Sequence, residues 1–188
     1  MKKSGLIFVI FIGVFLLRMN AWTQVLTSGD NISLEIPDIC LIETNYALVS
    51  LSLNASAAGA TLSSTSNSDL FIKISSLVPN STSRKITART SVGSVPAGTS
   101  LTLVSASCTS ANSGGDLGTP VSTPITLSAT DQDLVTGIGT CYTGTASNDG
   151  YQITYTWGPD NPATNYGLIE SDDYNIIVVF TITAHDGN

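Results

Sequence analysis

Residues Tyr151–Trp157 read YQITYTW, and the period of the stretch is two. Tyr151, Ile153, Tyr155 and Trp157 fall on one side of an extended chain, and Gln152, Thr154 and Thr156 on the other. Successive side chains of a strand point to opposite faces, so this is a strand with one apolar and one wet face. The apolar face carries Ile153 among the aromatics, which reads as core packing. No segment shows the three-and-four spacing of an amphipathic helix.

The same period recurs along the chain. Ala47, Val49, Leu51 and Leu53 alternate with polar or single apolar neighbours, as do Leu70, Ile72 and Ile74. Ile86, Ala88 and Thr90 alternate with Lys85, Thr87 and Arg89, which places the basic pair on a solvent face. Asn175 to Ala184 (NIIVVFTITA) is apolar on both faces in its first half and is expected at the centre of a sheet. Turn signals punctuate these runs, among them Pro37-Asp38, Pro96-Ala97-Gly98 and Gly158-Pro159-Asp160. Asn148-Asp149-Gly150, between two strand-like runs, predicts a hairpin. About nine strands follow, near 31–36, 46–53, 69–75, 84–91, 100–108, 122–128, 134–142, 151–157 and 174–184. Short strands with frequent turns predict an all-β protein, a single antiparallel β-sandwich of immunoglobulin-like or jelly-roll-like kind. Segment 109–121, rich in Ser, Gly and Asp, is the predicted mobile loop.

The first residues address the compartment. Lys2 and Lys3 precede an apolar run, Gly5 to Leu17, and small residues cluster between Ala21 and Gln24. This is the build of a secretory signal peptide over residues 1–23, leaving 24–188 as one domain; no second long apolar segment follows. Removal of the signal leaves four basic residues, Lys73, Arg84, Lys85 and Arg89, against fourteen acidic ones, a formal charge of −10. Such a surface repels phosphate backbones, so nucleic acid is an unfavourable partner. The expected location is secreted, at the cell surface or in the periplasm.

Three cysteines remain in the predicted mature chain: Cys40, Cys108 and Cys141. In an exported chain cysteines pair when geometry permits. Cys108 shares a predicted strand face with Val104 and Ala106, and Cys141 shares one with Val135, Gly137 and Gly139. Small neighbours let two backbones approach to a disulfide separation, so a Cys108–Cys141 bridge is expected. In the chain-entropy model its loop stabilises by roughly 3–4 kcal/mol. Cys40 lies among Ile36, Ile39, Leu41 and Ile42 and reads as a buried thiol, with pairing to either other cysteine as the alternative.

Catalysis finds little support. A cysteine nucleophile wants a nearby base, and the only histidine, His185, is the fourth residue counted back from the end of the sequence. Cysteine and histidine are too sparse for a zinc site, the Asp pairs 131/133 and 172/173 lack calcium-loop spacing, and no pair of carboxylates stands out for hydrolysis. No catalytic residue, metal or cofactor is therefore assigned. Trp157 and Tyr166, near a strand end, are the candidate ligand-binding residues, since exposed aromatics can stack on sugar rings.

In its order of features the chain resembles bacterial surface β-sandwich proteins of fimbrial-subunit or adhesin type. The shared features are a signal peptide, Ser/Thr-rich strands, few charges, one expected disulfide and an apolar last strand (IIVVFTIT). The resemblance implies a non-enzymatic structural or adhesive envelope protein that self-associates or binds other envelope proteins. The predicted mature start, QVLTSGDNISLEI, alternates in a way that suits strand addition. The alternatives are a carbohydrate-binding module and a secreted hydrolase using acidic residues.

Overall fold

The computed structural model describes residues 29–45, 48–80 and 82–185. The chain divides into two units, Met1–Glu35 and Ile36–Asn188. Of the first, residues 29–35 are described, as an extended, exposed stretch outside any strand. The predicted signal peptide and residues 24–28 lie outside the described residues.

The second unit contains thirteen described strands: β1 (Ile39–Thr44), β2 (Asn54–Ala55), β3 (Leu62–Ser63), β4 (Thr65–Leu77), β5 (Ser83–Val92), β6 (Thr99–Ser105), β7 (Gly114–Gly115), β8 (Thr119–Pro120), β9 (Ile125–Thr126), β10 (Gln132–Ile138), β11 (Cys141–Tyr142), β12 (Tyr151–Pro159) and β13 (Ile177–His185). All pairings are antiparallel. One sheet runs β7-β11-β4-β12-β6-β9, with β1 also on β4; a second runs β13-β5-β10-β8; β2 and β3 form a small ribbon. A helical turn, Pro162–Asn165, continues into a 3₁₀ turn, Tyr166–Leu168. The expected all-β sandwich-like fold is present. Its strand count is higher than nine because several two-residue strands lack enough sequence to show a period.

Alternation explains both faces of the longer strands. Leu70, Ile72 and Ile74 of β4, Leu101 and Leu103 of β6, and Tyr151, Ile153 and Tyr155 of β12 join Ile86 and Ala88 of β5 and Leu134, Val135 and Ile138 of β10 in one core. The other face of the β4–β12 pair is held by hydroxyls: Ser66 and Thr156 lie 2.9 Å apart, as do Ser68 and Thr154. Cross-strand hydroxyl pairs of this kind give the Ser/Thr-rich faces their cohesion. Lys85 and Arg89 stand on the wet face of β5, as expected, and meet Asp133 and Asp131 at 2.9 and 3.6 Å.

Several local expectations are corrected. Residues 31–36 and 48–53 are not strands, although Val49 and Leu51 still pack against the core. The longest strand outside the predicted nine is β1, ICLIET, whose pattern of burial is irregular because it lies on the outer edge of β4. Segment 109–121 contains β7 and β8. The predicted strand 134–142 is two strands in different sheets: β10 pairs with β5, and β11 pairs with β4. Gly139 and Thr140 make the crossing. Finally, Asn148–Gly150 closes no hairpin. β11 and β12 both pair with β4, so residues 143–150 are an excursion between two halves of one strand path.

Candidate functional site

The feature of greatest chemical interest is β13. Its apolar residues on both faces suggested a central strand, but β13 is the end strand of its sheet. One edge pairs with β5 from Ile177↔Val92 to His185↔Ser83. Among the described residues no strand pairs with the other. The Cys40 thiol lies 3.9 Å from the Ile182 carbonyl, so β1 borders that end, and the free edge is Ile177–Thr181. Ile177 is 53% exposed, and Val178, Val179 and Phe180 are half-buried. A strand edge presents unpaired N–H and C=O groups, and one flanked by apolar side chains is a template for a further strand.

Beside this edge the two sheets part to form an apolar cleft of about 530 Å³. Leu70, Leu101, Tyr155 and Trp157 line it from one sheet, and Val178 and Phe180 from the other. Trp157 is half-buried there, and its indole N–H donates to Thr99 Oγ1 at 3.0 Å. Tyr166, 36% exposed on the 3₁₀ turn, does not line the cleft. The two candidate aromatics are thus not brought into one lining.

The cysteines are free thiols in the structure, so the expected Cys108–Cys141 bridge is not formed there. The strand argument behind it also changes. β6 ends at Ser105, before Cys108, and its Val104 side is the wetter one. Gly137, with φ of +70°, has open space around its α-carbon, and Gly139 lies against Asp116; neither clears a path between cysteines. Cys141 is buried, and burial, with Asp116 and Cys108 nearby, pushes its thiol up to about 11. A thiol so protonated at neutral pH is a poor nucleophile. Cys40, expected to be buried, is exposed because β1 is an outer strand.

Asp149 is the residue whose importance the turn reading hid. Its carboxylate accepts from Ser110 Oγ at 2.5 Å, from Asn112 Nδ2 at 3.3 and 3.4 Å and from the Ala146 N–H at 2.8 Å. The Ser110 hydroxyl first, then the Ala146 amide, hold this carboxyl below its usual range. It sits just beneath the surface, covered by the loop atoms that it ties together. The side chain of His185 lies outside the described residues. No helix among the described residues is long and apolar enough to cross a membrane.

No family model, no characterised protein and no solved structure matches the chain.

Proposed function

We propose that the protein is an exported, non-enzymatic component of the cell envelope, structural or adhesive in role, that associates by strand addition. The observation that supports this most is the free, apolar edge of β13 beside an apolar cleft. Ordinary soluble proteins shorten, charge or cover such edges. A donor of matching chemistry is at hand: Ile32, Leu34 and Ile36 recur at every second position and are 80, 88 and 82% exposed. An extended segment with that alternation supplies backbone pairing along the edge and side chains for the cleft.

Deleting residues 24–36 from the mature protein, which removes all three donor side chains, tests the reading. Light scattering is expected to show oligomers for the mature chain and monomers for the deletion; unchanged assembly removes strand addition through this segment.

Export also brings the thiols to an oxidising compartment, and Cys108 lies within electrostatic reach of buried Cys141. The proposed Cys108–Cys141 bridge forms there and leaves Cys40 free. Alkylation in denaturant without reductant is expected to add one label, on Cys40. Three labels on the exported protein would exclude the bridge.

A further inference from the structure

On the outer face of the seven-stranded sheet, away from the inter-sheet cleft, the excursion 143–150 and the segment after β6 enclose a second cavity of about 580 Å³. Its volume is in the range that small ligands fill. Its lining is unlike that of the first. Phe71 contributes a half-buried ring, the only aromatic on β4, and Gln152 stands opposite it on β12. Ser107, Thr109 and Asn148 line the rim, exposed and with no side-chain hydrogen bond among the described residues. Among the described residues no lysine or arginine lines the cavity.

We infer that this cavity binds a neutral oligosaccharide. Three properties of the lining select that class. A half-buried ring offers a flat apolar face to the C–H side of a pyranose. Amide and hydroxyl side chains both donate and accept, as sugar hydroxyls do, and here they have capacity to spare. Among the described residues the only charge in the lining is the Asp149 carboxylate, already engaged by its own loops, which disfavours anionic ligands and provides nothing for cationic ones beyond what those loops use. The carboxylate has a structural part in this: by fastening Ser110 and Asn112 to the Ala146 turn, it fixes both walls before a ligand arrives. Pre-set walls reduce the ordering cost of binding. The site adds a ligand to the envelope reading and does not depend on strand association.

The test uses the full mature chain on an array of neutral gluco-, galacto- and manno-oligosaccharides beside sialylated and sulfated ones. Saturable binding to a neutral probe is expected. Titration of that probe against Phe71→Ala should show about a tenfold loss, the order of one lost aromatic contact. Asn148→Ala, on an exposed turn where folding is not at risk, should weaken binding severalfold, and Tyr166→Ala should leave it unchanged. Thermal melts establish that each variant is folded. Absence of binding to every neutral probe overturns the site, as does preference for sialylated or sulfated probes, or equal binding by both cavity variants. Light scattering on the same samples scores assembly separately, so loss of either property leaves the other legible.

Discussion

Gly150→Ala is expected to destabilise the protein by about 3 kcal/mol or more, the sum of a strained backbone and a steric overlap. Gly150 is the point where the excursion 143–150 rejoins the sheet, immediately before Tyr151 pairs with Ile72. Its φ is +105°, a region that side chains rarely tolerate. A Cβ there would overlap the carbonyl oxygen of Ile72, and backbone of the longest strand cannot step aside as a flexible side chain could. Gly137→Ala provides the comparison, since φ is +70° but nothing lies within 4 Å of the added carbon. That variant should lose only the conformational term, about 1 kcal/mol. In thermal melts the first should fall by roughly 10 °C and the second by roughly 3 °C. Equal shifts would show that β12 does not re-enter the sheet at Gly150.

The second large effect belongs to Tyr151. Its side chain is fully buried, and its hydroxyl donates to the Leu117 carbonyl at 2.5 Å. Burial, with Cys141, Cys108 and Asp116 nearby, raises its pKa, so the hydroxyl stays protonated and a donor. Leu117 lies between β7 and β8, so this bond adds a side-chain tie to the core to the ladder pairings of β7 with β11 and β8 with β10. Tyr151→Phe keeps the ring and strands the Leu117 carbonyl, at a cost of about 1–2 kcal/mol. Tyr151→Ala removes the ring as well and should cost about 3–5 kcal/mol, as other large aromatic truncations do. Denaturant melts measure both. A Phe variant as stable as the parent would mean that the hydroxyl bond contributes nothing to holding the segment.

The strands legible in the sequence are those with one wet face and one dry face. β4, β5 and β12 announce themselves because Leu70, Ile86 and Ile153 each begin or continue a strict alternation. β1 was missed for the opposite reason: Ile39, Cys40, Leu41 and Ile42 form an unbroken apolar run, and only pairing on β4 makes it a strand. Residues 48–53 alternate without joining a ladder, which shows that periodicity reports burial before it reports backbone pairing. β13 misled in the more instructive way. Apolar residues on both faces usually mean a strand covered on both sides, yet here the strand is at an edge, and the excess apolar surface marks a place where something else should pack. The Phe71 cavity was invisible because its parts come from three separate stretches, Phe71, 106–112 and 146–152, and Asp149 looked like any turn aspartate. Trp157 and Tyr166 attracted attention as aromatics near a strand end, but nearness in sequence did not place them in one lining.

The claim on which the functional account turns is that the edge of β13 accepts a strand. Hydrogen–deuterium exchange over Ile177–Thr181 tests it most directly. In an antiparallel pair alternate amides bond to the neighbour, and the rest point outward. On assembly of the mature protein, the outward amides of this stretch should pass from rapid exchange to protection, while those bonded to β5 stay protected throughout. Oligomers that form with those outward amides still exchanging rapidly would contradict the account.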